Sequence, residues 1–169
     1  QELGRLAAFD GLTRLRNHRT FQLELKRACA ASARQGTPLA LVMLDLDHFK
    51  LVNDTHGHEV GDLVLAHVGA LLAKGARASD LPCRVGGEEF VVVCQDTSTE
   101  DARALAERLR VAVDSQPTVA GPLKIPMTGS FGVASAAPGA DPDQLFRAAD
   151  QAMYRAKANG RNRVEVAGA

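Results

Sequence analysis

The sequence predicts a mixed α/β (α+β) fold with a ferredoxin-like βαββαβ core, a central, mainly antiparallel sheet flanked by helices. Three observations predict it. The run Leu39-Ala40-Leu41-Val42-Met43-Leu44 is continuously apolar, Gly86-Gly87 separates two β-rich stretches, and helical stripes of apolar residues alternate with these strands. From residue 39 the order is strand, helix, hairpin, helix, strand, which is the split βαβ arrangement.

Residues 17–35 place Phe21, Leu25, Ala28, Cys29 and Ser32 on one helix face, with Asn17 before it and Gly36 after it as caps. Pro38 leads into the apolar run, whose lack of alternation marks a strand covered on both faces. Over residues 59–73, Val60, Leu63, Val64, His67, Val68, Leu71 and Leu72 recur at three and four residues, giving a second amphipathic helix. Arg84-Val85 and Phe90-Val91-Val92-Val93-Cys94 read as paired strands, and Gly86-Gly87, tolerant of positive φ, as their hairpin turn. After Thr97 and Ser98, a third helix is marked by Ala102, Leu105, Ala106, Leu109 and Val113. Pro117, Gly121, Pro122 and Pro126 then predict a loop, and residues 127–135 a strand despite two glycines. Asp141 caps the last helix and Pro142 opens it; Leu145, Ala149, Ala152, Met153 and Ala156 form its stripe and Asn159-Gly160 closes it. Arg163-Val164-Glu165-Val166 reads as a final short strand. No repeat or linker divides the chain, so 1–169 reads as one domain, with 1–8 the end of an upstream linker helix.

Composition narrows the function. At 169 residues and 46% apolar, the chain has material for one sizeable core. Twenty acidic residues balance twenty basic ones, so no overall field attracts nucleic acid or an anionic membrane, and any phosphate recognition must be local. Cys29, Cys83 and Cys94 have no metal-ligand spacing, which argues against a disulfide framework or a zinc site and for a reducing, cytoplasmic setting. No apolar run approaches the roughly 20 residues of a membrane span. Beginning at Gln1 rather than Met, the chain reads as part of a larger parent that could be membrane-anchored.

The acidic residues suggest chemistry. Asp45-Leu46-Asp47 ends the apolar strand, and alternation puts both carboxylates on one side of the sheet edge. Glu88 and Glu89 begin the partner strand after Gly86-Gly87. An acidic pair at a strand end is ordinarily a solvated terminus. If these strands are neighbours, however, Asp45 and one or both glutamates converge, and clustered carboxylates are held together by a hard cation such as Mg²⁺. A turn without side chains lets a triphosphate approach the backbone. Phosphoryl or nucleotidyl transfer is the reaction class this implies. Lys50, Lys157 and Arg161 are local cations; Lys157 and Arg161 lie four apart at a helix end, where basic residues are also ordinary dipole partners. Asn53, His58 and Asp62 fall in the loop and first turn after the Asp45 strand, where open α/β sheets bind ligands. A carboxylate such as Asp62 accepts from the N1–H and N2–H₂ edge of guanine, which adenine lacks; equally, it is an ordinary first-turn acid. His67 reads as a packed histidine without a catalytic role.

These residues resemble the GGDEF-domain diguanylate cyclases, in the variant Gly86-Gly87-Glu88-Glu89-Phe90. The match includes Phe9-Asp10-Gly11-Leu12-Thr13-Arg14-Leu15, Asp45-Leu46-Asp47-His48-Phe49-Lys50 with Asn53-Asp54, Gly57-His58 with Gly61-Asp62, Ser130-Phe131-Gly132-Val133-Ala134, Ala149-Asp150, Met153-Tyr154, Ala156-Lys157 and Gly160-Arg161-Asn162. The resemblance implies a nucleotidyl cyclase, polymerase-palm type of core and condensation of two GTP into cyclic di-GMP plus pyrophosphate by a homodimer, each half presenting one GTP. It implies Mg²⁺ or Mn²⁺ held by Asp45, the Leu46 carbonyl, Glu88 and Glu89. Glu88 is also the implied base for the 3′-hydroxyl. Asn53, His58 and Asp62 would hold guanine or ribose. The backbone at Phe49, together with Lys50, Lys157 and Arg161, would hold phosphates across the side-chain-free turn at Gly86 and Gly87, with Lys50 offsetting transition-state charge. Arg77-Ala78-Ser79-Asp80 resembles the family's product-binding inhibitory site, with Arg108 a second contact from the next helix. The parent would carry an upstream sensor or receiver domain. Two departures stand out: His18 where the family often has Arg, and Val85 where Tyr is usual. A nucleotide receptor without turnover and an ATP-using cyclase are the competing readings.

Overall fold

The computed structural model describes residues 8–168; the expected linker helix end at 1–8 lies outside these, except Ala8, which sits in a turn. Five helices follow one another as α1 (His18–Gln35), α2 (Phe49–His56), α3 (His58–Gly75), α4 (Thr99–Ser115) and α5 (Pro142–Ala158). The strands are β1 (Leu39–Leu46), β2 (Asp80–Arg84), β3 (Glu89–Gln95), β4 (Thr118–Ala120), β5 (Leu123–Ile125), β6 (Gly129–Ala136) and β7 (Arg163–Val166).

The main sheet has the order β2-β3-β1-β6-β7. Its first three neighbour pairs are antiparallel and β6–β7 is parallel. Thus β3 lies between β1 and β2, and β1 between β3 and β6, two interleaved split βαβ units as the element order predicts. β1 is central, which accounts for its unbroken apolar run. Ala40, Val42, Leu44 and Leu46 face a core shared with α2, α3 and α4. Leu39, Leu41 and Met43 face the other core, shared with α1 and α5.

Caps end the helices where the sequence signals them. Asn17 accepts from Thr20 N, Ser98 from Asp101 N and Asp141 from Gln144 N. Gly36 closes α1 in the left-handed region. On β6 a missing side chain sets the packing distance: a Cβ on Gly132 would stand 2.2 Å from the Ala149 carbonyl oxygen of α5. The two glycines of this strand are therefore close-approach positions.

The structure corrects four local expectations. The loop after β1 is helix α2, opened by His48 at φ 56° and too short for periodicity to reveal. The proline-rich loop contains the β4–β5 pair. On α3, Leu63 is 48% exposed while Gly61, Leu65 and Gly69 are buried. The helix presses its glycines inward, since a Cβ on Gly69 would meet Thr13 at 2.9 Å, and this turns Leu63 out. Finally, neither glycine of the β2–β3 connection has left-handed φ. Four residues, Val85 to Glu88, separate the strands, so the hairpin forms without the mirror-image turn. Cys29, Cys83 and Cys94 are buried and unpaired by disulfides. No helix among the described residues is long and apolar enough to cross a membrane.

Candidate active site

The register of the two central strands brings the acidic residues together. Asp45 sits directly opposite Glu89, a position that puts the side chains on one face about 5 Å apart. Leu46 N donates to the Glu88 carbonyl at 3.2 Å, extending the ladder into the turn. Burial pushes the Asp45 carboxyl above its ordinary range despite the Lys157 ammonium, which donates to Oδ2 at 2.5 Å. Burial and then the Asp45 charge raise Glu88 and Glu89 as well, with Lys157 opposing both. Asp150, exposed on α5, adds to the negative field at Asp45 and Glu89. It stands about two helical turns before Lys157 on the same helix, and the sequence signal for it is its place in the family-like pair Ala149-Asp150.

Asp45 is 4% exposed, and its Oδ1 is buried without a hydrogen-bond partner. Such an atom is costly to leave unpaired. Among the described residues, no three acidic, histidine or cysteine side chains are gathered as a ready metal cage. The donor chemistry nonetheless suits a hard cation: an orphaned carboxylate oxygen, two further carboxylates with raised proton affinity, and the Leu46 carbonyl at the strand end.

The turn above this cluster is held from below by a residue without an assigned role in the sequence reading. Arg84 donates through Nε to the Gly86 carbonyl at 3.2 Å and through Nη2 to the Gly87 carbonyl at 2.8 Å. Its Nη1 lies 3.1 Å from both carboxylate oxygens of Asp10. Asp10 in turn accepts from the backbone and hydroxyl of Thr13, both at 2.8 Å. Burial alone would raise the Asp10 carboxyl, but these Thr13 and Arg84 contacts bring it below its ordinary value. His18 meets the Val85 carbonyl at 2.9 Å, so both departures from the family pattern touch at the edge of the same turn. On Gly86, a Cβ would stand 2.9 Å from Glu89 Oε1, whereas Gly87 faces open space. One glycine makes room for a carboxylate, and the other leaves the turn accessible.

The remaining candidates divide. Phe49 is buried at the N-terminus of α2, where the first backbone N–H groups lack i−4 helical partners, although Leu51 N donates to the His48 carbonyl at 3.1 Å. Lys50 is exposed and donates to Asp54 at 2.9 Å, outside the carboxylate cluster. Lys157 occupies that cluster instead. The helix ends at Ala158, so Arg161 lies in the following turn with φ 64° and does not share a helix face with Lys157, contrary to expectation. His58 and Asp62 are exposed in the first turns of α3. Asn53, on α2, turns a buried amide oxygen toward Gly61, where a Cβ would stand 1.9 Å away. His67 is half-buried with Nε2 at 2.8 Å from the Gln116 carbonyl, a packing contact between α3 and α4.

Asp47 does not join the metal candidates. Its carboxylate accepts from Thr128 Oγ1 and Ser130 Oγ, both at 2.7 Å, and from Asn162 N at 3.0 Å.

Arg77 and Asp80 lie at the opposite end of the sheet. Asp80 pairs with Cys94, five residues along β3 from Glu89, or roughly 17 Å at the usual strand rise. Arg77 donates from its backbone N at 2.8 Å, from Nε at 3.2 Å and from Nη2 at 3.1 Å to the fully buried Asp80 carboxylate. Thr97 Oγ1 also accepts from Arg77. Arg108, on α4, points its guanidinium toward the Gly75 carbonyl at 3.5 Å.

Comparison with known proteins identifies the family. Residues 7–163 match the family described as diguanylate cyclase, GGDEF domain. The chain is 45% identical over 162 residues to the response regulator PleD of Caulobacter vibrioides, covering 94% of this chain and 36% of that protein. It therefore spans about a third of that relative's length. The solved coiled coil and GGDEF domain of DgcB from Caulobacter crescentus, in complex with c-di-GMP, superposes with a TM-score of 0.93 at 36% identity, covering 98% of this chain and 88% of that one. The active GGEEF domain of a Vibrio cholerae diguanylate cyclase superposes with a TM-score of 0.84 at 35% identity, covering 90% of this chain and 97% of that one.

Proposed function

The chain belongs to the GGDEF-domain diguanylate cyclase family, and from that premise we propose that it condenses two GTP molecules into cyclic di-GMP. The 3′-hydroxyl oxygen of each GTP attacks the α-phosphorus of the other. A P–O bond to pyrophosphate breaks each time, so two phosphodiester bonds form and two pyrophosphates leave. The observation that carries this reading is the Asp45–Glu89 cross-strand pair with its orphaned Asp45 oxygen, set beside a turn whose Gly87 is open.

Asp45, the Leu46 carbonyl, Glu88 and Glu89 would hold Mg²⁺ or Mn²⁺, which when bound supplies Lewis-acid stabilisation of attacking and leaving oxygens. Glu88, whose carboxyl is raised by burial and by Asp45, is suited to take the 3′-hydroxyl proton. The α2 N-terminus at Phe49 offers N–H groups to phosphate. Lys50 exchanges its exposed Asp54 partner for phosphate, with Lys157 and Arg161 approaching from the other side. Asn53, His58 and Asp62 read guanine. Gly86 and Gly87 let the triphosphate lie against the backbone.

Product feedback through Arg77, Asp80 and Arg108 is part of the same proposal. The half-exposed Arg77 guanidinium is suited to guanine O6 and N7, and the DgcB structure contains c-di-GMP. Catalysis takes a homodimer, since one site holds one GTP. The likeness to a response regulator supports an upstream receiver or sensor domain in the parent protein. Incubation with GTP and Mg²⁺ should yield cyclic di-GMP; no product at high protein concentration overturns the reading.

A further inference from the structure

Asp45 and Asp47 leave the end of β1 two residues apart, and both grip the segment that closes α5. Lys157 Nζ donates to Asp45 Oδ2 at 2.5 Å, and Asn162 N donates to Asp47 Oδ2 at 3.0 Å. The turn between them is strained. Gly160, Arg161 and Asn162 have φ of 124°, 64° and 45°, three left-handed residues in succession, two of which carry a Cβ. Backbone of this kind persists where its surroundings hold it. Asp47 is 5% exposed and ties the turn to β6 through Thr128 and Ser130, both at 2.7 Å. From the far side, Arg110 donates to the Asn162 amide oxygen at 2.9 Å, and the Asn162 amide nitrogen donates to Asp114 at 3.3 Å.

We propose that Asp47 is a positioning residue for catalysis: by anchoring the turn at Asn162 it fixes where Lys157 and Arg161 meet the substrate phosphates, without itself touching metal or nucleotide. The inference rests on the cyclase reading above. With both oxygens committed to protein donors, Asp47 is not a ligand despite its spacing from Asp45. The two acids divide the labour, Asp45 facing the chemistry and Asp47 holding the frame.

The geometry makes a sharp distinction between substitutions. In Asp47→Asn, the amide oxygen takes the place of Oδ2 and accepts from Thr128 and Asn162, while the amide nitrogen donates to the Ser130 hydroxyl, which rotates to accept. Thr128, Asn162 and Ser130 each keep a hydrogen bond to the side chain, and only the Ser130 hydroxyl proton needs a new acceptor. Asp47→Ala removes the anchor. Steady-state kinetics on the full domain should show Asp47→Asn within about twofold of wild type in kcat and KM, and Asp47→Ala with KM for GTP raised about tenfold and kcat within about threefold. A loss of about 100-fold in kcat for Asp47→Asn at unchanged KM would put Asp47 among the metal ligands and overturn the proposal. A fall in kcat alone for Asp47→Ala would reduce its role to general stability and overturn it as well. If Asp47→Ala does not fold, the Asp47→Asn result still decides. Amide exchange at Asn162, expected to be slow in wild type and Asp47→Asn, reads the contact even if wild type makes no product; fast exchange in wild type would refute it.

Discussion

The two ends of the central sheet treat a buried carboxylate in opposite ways. At the Asp45 end, several acids crowd one ammonium, one carboxylate oxygen is left over, and all three carboxylates among the candidate ligands are pushed toward protonation. At the Asp80 end, one carboxylate is matched by one guanidinium in a closed fork and nothing is left over. The first end is short of positive charge, a deficit that the proposed cation would relieve. The second is already neutral, so a ligand there must compete with an intramolecular pair. Catalytic sites tolerate the first condition because the missing partner arrives with the substrate.

The largest effect expected from breaking this contrast is at the acidic end. Glu88→Gln should reduce cyclic di-GMP formation by about 100-fold or more while the fold is retained, since it removes both a ligand and the proton acceptor; circular dichroism alongside the product assay checks both halves. A Glu88→Gln variant with wild-type turnover would remove the metal-site assignment.

At the neutral end, Arg77→Ala leaves the buried Asp80 carboxylate without its partner. Because Arg77 is itself 46% exposed, the cost should be about 2 kcal/mol, below that of breaking a fully buried pair. Denaturant titration measures it. Initial rate should be unchanged and inhibition by added cyclic di-GMP relieved; unchanged inhibition would sink the feedback proposal.

Next comes Gly61→Ala. Its Cβ overlaps Asn53 Oδ1, so Asn53 must move. KM for GTP should rise by roughly tenfold with a smaller change in kcat, as for a lost ground-state contact.

The smallest effect is the pH dependence. Burial holds the Asp45, Glu88 and Glu89 carboxyls above their unfolded values, so between an ordinary carboxyl pKa near 4 and those raised values the folded state binds more protons. Without metal, stability should therefore rise as the pH falls through that window. Glu89→Gln should flatten the rise, and added Mg²⁺ should release protons. Asp10 runs the other way: its lowered pKa stabilises above the unfolded value and is lost as the pH falls through the lowered one. Melting curves from neutral pH down to about pH 2 should show both limbs, the Asp10 limb lying below an ordinary carboxyl pKa, and a flat profile would remove the charge-deficit description.

Most of the scaffold was legible because it rests on local rules. The stripe Phe21, Leu25, Ala28, Cys29 and Ser32 is the buried face of α1, and the run in β1 became a strand buried on both faces. Signals too short for periodicity, α2 and the β4–β5 pair, were not legible. Leu63 was misread because its neighbours include two glycines whose packing, rather than hydrophobicity, orients the helix. At the site, the meeting of Asp45 with Glu89 was legible as a consequence of strand adjacency. Which cation would answer Asp45 was not.

The sequence by itself determined the elements, their order, the family motifs and the acidic strand ends, since these follow from propensity, alternation and residue chemistry within a few positions. Only the tertiary structure decided the pairings of Lys157 with Asp45 across 112 positions, Asn162 with Asp47 across 115 and Arg84 with Asp10 across 74. A charged or polar side chain carries no record of its distant partner. The fold makes that choice when burial strips away water and leaves each carboxylate only the donors that the packed elements bring within reach.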